Sequence, residues 1–333
     1  MRELNRRNKT AALLLVFVLI LGVLTGCGKE RPAANIRVGS LKGPTSMGIL
    51  FLMDKAERGE TENTYEFQMA AGADELLPLM VKGELDIALV PANVAAVLYQ
   101  KMEGGIAVID INTLGVLNIV TGTSEVQNVA DLKGRTIYLT GKGTTPEASL
   151  KFVLEANGLK ETDYTLEFKS EATEVAAILA ENPDAVGLLP QPFVTAALMQ
   201  NDALRTALDM NEEWIRVENE RKDGSNGMVT GVTVVRKEFL EEHPEAVEAF
   251  LKEHALSVDG INGDAATGAA LAVAAGIVAK EPIAERAIPE CHITCIAGED
   301  MKADLSAYLD VLAGFDESLV GGKVPEDDFY YIR

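Results

Sequence analysis

Cysteine, histidine, aromatic side chains and positive charge are all scarce in this chain of 333 residues. It has three Cys, three His, one Trp and 5% aromatics, with 30 Lys plus Arg against 51 Asp plus Glu. Three cysteines cannot staple a disulfide scaffold. The histidines are His243, His254 and His292, and neither a His-Glu-x-x-His zinc helix nor a Gly-x-Ser-x-Gly nucleophile elbow occurs. The formal charge of −21 repels a phosphate backbone and an anionic membrane surface, so no nucleic-acid partner is expected. Low-complexity tracts and solenoid-period repeats are missing as well. What is there is globular in composition, 47% hydrophobic and 24% charged, with length for roughly two domains.

The acidic average hides a basic island at the start. Arg2, Arg6, Arg7 and Lys9 precede a charge-free aliphatic run from Ala11 to Leu24. As a helix that run rises only about 21 Å, short of the ~30 Å hydrocarbon core, which suits a signal-peptide h-region better than a permanent span. Leu24-Thr25-Gly26-Cys27 then resembles the lipobox of bacterial lipoproteins, in which the cysteine thiol takes a diacylglycerol and the preceding bond is cut. The sequence is therefore divided into a lipoprotein signal peptide over 1–26, a lipidated tether over 27–34 beginning at Cys27, and a folded remainder. Cleavage would remove Arg2, Arg6, Arg7, Lys9 and Glu3, taking the charge from −21 to −24.

The other two cysteines, Cys291 and Cys295, would lie about 13 Å apart in an extended chain, against the about 5.5 Å between Cα atoms that a disulfide needs. They are expected as core thiols. A metal reading that adds His292 lacks both a further ligand and the paired spacing of zinc sites, so no metal is assigned.

From Asn35 onward short apolar runs alternate with helical spacing. Strands are expected at 36–40, 65–69 and 87–90, with helices at 46–56, 74–81 and 93–101, a parallel α/β pattern because parallel neighbours need a crossover. The runs 106–112 and 115–121 follow without a helix between them and mark a change of direction. A second α/β stretch holds strands at 136–139, 166–169 and 185–189, with helices at 146–156, 172–180 and 193–200. Strand 228–235 returns the chain, and only helices are expected after it, at 244–257, 264–280 and 301–312. Two doubly wound lobes with a ligand cleft between them follow: residues 35–120 with 231–333, and residues 121–230. The crossings are placed at about Val120 and Gly231.

In open α/β sheets a ligand sits beyond the carboxyl ends of the strands, so the loops there carry the candidates. After the first strand comes Gly43-Pro44-Thr45-Ser46-Met47-Gly48, whose hydroxyls at a helix start can cap the helix, hold a ligand, or do both. Gly72 leaves room after the second strand, and Asn93 offers a donor and an acceptor after the third. Across the cleft, Gly141-Lys142-Gly143-Thr144-Thr145-Pro146-Glu147 is no phosphate loop, since Gly143 stands where Ser or Thr must follow the lysine. It fits a capping box, or Thr145 as N-cap with Pro146 in the first turn. Gln191, in Pro190-Gln191-Pro192-Phe193, completes the set. Solvent exposure is expected for His243 and His254, and solvated helix faces for Glu212, Glu213, Glu218 and Glu220. No catalytic residue and no cofactor is assigned.

At these loops the sequence resembles the substrate-binding proteins of bacterial ABC importers, in the nitrate, sulfonate, taurine and thiamine-precursor group with the type II periplasmic binding protein fold. The carrying segments are Lys42 to Gly48, Gly83-Glu84-Leu85-Asp86-Ile87-Ala88, Asp131-Leu132-Lys133-Gly134, Gly141 to Glu147, Pro190-Gln191-Pro192-Phe193 and the tail from Gly321 to Tyr330. The resemblance implies a non-enzymatic solute-binding lipoprotein, monomeric, tethered by acyl chains (diacylglycerol and palmitate) on Cys27 at the outer face of the cytoplasmic membrane. It would close its lobes on a small molecule and deliver it to a permease driven by an ATPase. Thr45, Ser46, Met47, Gly72, Asn93, Lys142, Thr144, Thr145 and Gln191 are the expected ligand contacts. Gln191 stands where many relatives carry Glu, which removes a charge from the cleft. Enzymes that make menaquinone or pyrimidine precursors use the same fold, and a membrane-tethered sensor or structural surface protein is a third reading. The lipobox argues against the enzymes, whose substrates are cytosolic. With Lys42 and Lys142 the only cations in these loops and no arginine, the solute is expected to be held mainly by neutral donors.

Overall fold

The first strand pairs with the second and third in parallel, as alternating strands and helices require. A computed structural model describes residues 34–221 and 227–332, so the signal segment, Cys27 and all of the tether but Ala34 lie outside the described residues. Along the chain run β1 (Asn35–Leu41), α1 (Pro44–Met47), α2 (Leu50–Glu57), β2 (Thr64–Ala70), α3 (Ala73–Val81), β3 (Ile87–Pro91), α4 (Ala92–Lys101), β4 (Ile106–Leu114) and β5 (Leu117–Thr121). Then come β6 (Thr136–Leu139), α5 (Thr145–Ala156), β7 (Thr165–Phe168), α6 (Ala172–Glu181), β8 (Val186–Pro190), α7 (Phe193–Gln200), β9 (Arg205–Asp209) and α8 (Met210–Arg221). The last part holds β10 (Val229–Arg236), α9 (Lys237–Glu242), α10 (Pro244–Gly263), α11 (Ala265–Ala274), α12 (Glu281–Ala287), β11 (Ile293–Ile296) and α13 (Gly298–Phe315).

Two sheets result. One has the order β11-β4-β10-β3-β1-β2, the other β7-β6-β8-β5-β9. In the first, β10 runs antiparallel between β3 and β4 and is buried from Val229 to Val235. Its β-branched residues pack on both faces, the composition a central strand needs. In the second, β6 and its neighbours β7 and β8 are parallel, while β5 pairs antiparallel with β8 and β9. The chain passes between sheets at Gly115–Val116 and again between α8 and β10. The first crossing therefore falls ahead of the expected Val120, because β5 takes its partners in the second sheet. The second falls ahead of Gly231, which lies inside β10.

Aromatic packing ties α5, α8 and α13 together: Trp214 sits 4.3 Å from the Phe152 ring and 5.0 Å from Tyr308, centroid to centroid. Such pairs add about 0.5–1.5 kcal/mol each beyond the area they bury. In the first sheet Asp86, only 2% exposed and directly ahead of β3, accepts from Arg37 Nε at 2.8 Å and from Arg236 Nη2 at 3.0 Å, joining β1 and β10. Burial works against the Asp86 carboxylate, but the Arg37 and Arg236 hydrogen bonds outweigh it and hold the carboxyl below its ordinary range.

Several expectations are corrected. The predicted helix over 46–56 is broken into α1 and α2 at Gly48, where a Cβ would lie 3.2 Å from both His254 Nε2 and Ile293 Cγ2. The tail is not helices only: Ile293-Thr294-Cys295-Ile296 pairs as an edge strand with β4. The predicted helix over 264–280 stops at Ala274, ahead of Gly276 with φ of 70°. Strand β9 carries no clear apolar alternation and was not expected. His254 is fully buried instead of exposed. Glu218 is also buried, because it shares the inner face of α8 with Trp214 and Val217.

Candidate functional site

The carboxyl ends of β1 and β3 converge on the amino end of β10, where Gly231 lies opposite Pro91 of β3 and Thr113 of β4. A Cβ on Gly231 would come within 2.6 Å of Thr45 Cγ2 and 2.5 Å of Asn112 Oδ1. Only glycine lets the α1 loop and β4 approach the same point. Thr45 Oγ1 donates to the Leu41 carbonyl at 3.1 Å, and Ser46 Oγ hydrogen-bonds Ser40 Oγ at 2.7 Å and donates to the Leu41 carbonyl. These bonds fold the loop back on the end of β1. The helix they start has only four residues, so its local hydroxyl bonds, not its dipole, set this end of the site.

Asn93 joins the two sheets. From the first turn of α4 it is fully buried, and its Nδ2 donates to the Gly143 carbonyl at 3.2 Å and the Leu319 carbonyl at 3.3 Å. Its Oδ1 accepts from Thr145 Oγ1 at 3.2 Å, at the start of α5. The same helix end is shaped from within: Thr144 Oγ1 donates to the Gly141 carbonyl at 2.7 Å, and the Gly143 N–H donates to Glu147 at 2.7 Å. Thr144, not Thr145, is the N-cap with Pro146 in the first turn, and the expected capping box does not form, because the Thr144 hydroxyl turns back to Gly141 and Glu147 accepts from Gly143. Deeper in α5, Ser149 Oγ and Tyr308 Oη are 2.9 Å apart. Burial pushes the Tyr308 phenol up, while its hydrogen bonds with Ser149 and Thr145 pull the other way, and the phenol stays a neutral partner.

Of the expected contacts, Thr45, Asn93, Thr144 and Thr145 line the converging loops, with Ser46 buried just behind. Met47 does not belong with them. It is sealed in an apolar cluster with Leu50, Val258 and Ile261, and Cys291 Sγ contacts its Sδ at 3.7 Å. Gly72 caps α3 with extended backbone, held small by the Asp74 carboxylate, 2.4 Å from where a Cβ would sit. Lys142 is exposed, with its ammonium 5.8 Å from the centre of the Phe168 ring. Gln191 turns inward: its Oε1 accepts from the Thr195 N–H at 3.2 Å and from Thr195 Oγ1 at 2.9 Å, beside the cis bond to Pro192. These three make their contacts apart from the Asn93–Thr145 junction.

Polar side chains on β4 and β10, outside the strand-end loops, bond to one another. Asn112 Nδ2 donates to Thr233 Oγ1 at 3.2 Å, Thr113 Oγ1 to Asn112 Oδ1 at 2.9 Å, and Thr233 Oγ1 to Asp110 Oδ1 at 2.8 Å, all buried. Thr230, 8% exposed, keeps a hydroxyl with no hydrogen-bond partner one residue before Gly231. The available signal was the pattern Asp110-Ile111-Asn112-Thr113 and Thr230-Gly231-Val232-Thr233, polar residues set into otherwise apolar strands. A buried polar group ordinarily has a partner, and the Thr230 hydroxyl is left without one beside the point where the α1 loop, β4 and β10 meet.

The model of the family described as NMT1/THI5 like matches residues 66–259. No curated protein matches the chain. The fold is similar to that of an ABC transporter from Parabacteroides distasonis, at 22% identity and TM-score 0.72, covering 90% of this chain and 99% of that one. It is also similar to the periplasmic aliphatic sulphonate binding protein SsuA from Escherichia coli (16%, TM-score 0.71, 89% and 92% covered). The alkanesulfonate-binding protein SsuA from Xanthomonas axonopodis pv. citri, bound to MOPS, is a third (16%, TM-score 0.67, 89% and 96% covered). The architecture is thus the type II periplasmic binding protein fold.

Proposed function

We propose, from the premise that the chain belongs to the NMT1/THI5-like family, that it is a non-enzymatic solute-binding protein of an ABC importer, capturing one small molecule between the two sheets. The observation that carries this reading is the Asn93–Thr145 junction. It brings the residue that follows the carboxyl end of β3 against the start of α5, and strand ends of this kind are where an α/β fold holds a ligand. The structural neighbours named for sulfonate binding and for an ABC transporter support the class. Residues of the two sheets would act as two lobes that close over the solute, with β4–β5 and the segment before β10 as connections.

The solute is a small molecule recognised mainly by neutral groups. Thr45, Asn93, Asn112, Thr145 and the orphaned Thr230 hydroxyl offer donors and acceptors, whereas Lys42 and Lys142 are exposed. Asn112 and Thr230 are added to the expected contacts on this ground. Delivery to a permease and its ATPase, action as a monomer, and a lipid tether on Cys27 at the outer face of the cytoplasmic membrane complete the proposal. Thermal-shift screening of neutral heterocycles, amino acids, sulfonates and nitrate tests the solute class. A neutral heterocycle is expected to give the largest shift; a large shift with a simple sulfonate and none with neutral compounds would reverse this preference.

A further inference from the structure

Beside the α1–α2 break, where His254 lies against Gly48, a second constellation brings metal-ligating side chains together. Asp110 of β4, His254 of α10 and Cys295 of β11 each offer a ligand atom, and these atoms all lie within 4.8 Å of one another. Asp110 and His254 are fully buried, and Cys295 is partly exposed. His254 Nδ1 hydrogen-bonds Asp110 Oδ2 at 3.1 Å, so a small outward shift would bring the two atoms to the about 3.3–3.6 Å that ligands of one tetrahedral ion take up with bonds of about 2.0–2.2 Å. Asp110 is held by the Thr233 hydroxyl on its other oxygen, so its orientation is fixed by a strand that does not itself join the cluster.

The ring's other nitrogen faces elsewhere. His254 Nε2 is buried against Gly48, whose Cβ would lie 3.2 Å away, and has no hydrogen-bond partner. Nδ1, on the Asp110 side of the ring, is therefore the atom that can bond an ion in the cluster.

We propose that Asp110, His254 and Cys295 form a site for a zinc-class divalent cation. The donor set decides the class: oxygen, imidazole nitrogen and thiolate together suit zinc or cobalt, while calcium and magnesium take oxygen alone. On binding, the Cys295 thiol gives up its proton to solvent and the thiolate bonds the ion, with the imidazole neutral and the carboxylate ionised. Three protein ligands leave a fourth position, reached from the partly exposed side of Cys295. Three elements distant in sequence are cross-linked by the ion, which is why the Cys291-His292-Cys295 spacing gave no hint of it: His292 turns to the Gly115 carbonyl and Cys291 to Met47.

Cobalt(II) alone, added to the chelator-treated full chain, is the probe. One cobalt per chain with a thiolate-to-cobalt charge-transfer band in the near ultraviolet is expected, displaced by zinc. The band should persist in Cys27→Ser and Cys291→Ser and vanish in Cys295→Ser, with affinity about a hundredfold weaker or worse. Asp110→Asn should weaken binding without removing the band. Zinc should raise the melting temperature of the native chain and not of Cys295→Ser. Absence of the band, its survival in Cys295→Ser, or an equal zinc shift in both proteins would overturn the proposal.

Discussion

Asp86 shows how a single residue can carry a large share of local order. It is the shared acceptor for Arg37 and Arg236, and removing it would leave two guanidinium groups facing a half-closed rim. Loss of a buried partner costs about 3–5 kcal/mol; Arg37 is 35% exposed and screened by water, so Asp86→Asn is expected to cost about 2–3 kcal/mol in chemical denaturation. Because the folded carboxyl is held below its ordinary range, its contribution is complete above the unfolded carboxylate value of about 3.9 and is lost as pH falls below that. The denaturation midpoint of the native chain should therefore drop between about pH 5 and 3 more steeply than that of Asp86→Asn; parallel slopes would refute the assignment. Cys291 gives a second residue-scale test. Burial, with a smaller push from Glu290, raises its thiol well above the ordinary range. A disulfide reagent at mild pH should label Cys295 quickly and Cys291 only on unfolding, and equal rates would contradict the burial. Asp86 was visible in the sequence as part of Gly83 to Ala88, but its partners were not, since Arg37 and Arg236 lie about 50 and 150 residues away. Met47 was misplaced for a related reason: proximity to Thr45 and Ser46 in a loop says nothing about which way a side chain turns.

Among the elements, strands and helices of the two α/β stretches were legible because apolar periodicity and Gly or Asn stops coincide there. The failures lie where tertiary contacts decide. β11 and β9 are edge strands of four and five residues whose sequences carry no clear apolar alternation, and they are set by pairing with β4 and β5. The α1–α2 break is imposed by His254 and Ile293 pressing on Gly48, a tertiary contact that overrides helical spacing. At the site, Gly231→Ala is expected to push Thr45 and Asn112 apart, lowering solute affinity at least tenfold and stability by about 1–3 kcal/mol. Unchanged affinity in calorimetry would show that the β10 gap is not part of the site. Tyr308→Phe removes the partner of Ser149 where α13 packs on α5, and should cost about 1 kcal/mol in thermal melts while leaving the helix content intact.

For the whole molecule, two α/β lobes followed from the alternation of elements, while the strand order within each sheet and the points where the chain crosses between them are set by pairing, not composition. The −21 charge takes on a narrower meaning with the fold in hand: a chain this acidic is repelled by anionic headgroups, so a membrane location needs the acyl chains proposed on Cys27. Cys27→Ser is expected to move the protein from the membrane to the soluble fraction; retention at the membrane would count against the tether. The central claim, non-catalytic capture at the junction of the two sheets, is tested most directly by isothermal titration of the strongest compound from the thermal screen into native chain and Asn93→Ala, with recovery of the compound afterwards. Saturable binding of one solute per chain, weakened at least tenfold in Asn93→Ala with the compound recovered unchanged, is the predicted result. Conversion of the compound with turnover, or binding indifferent to Asn93, would contradict it.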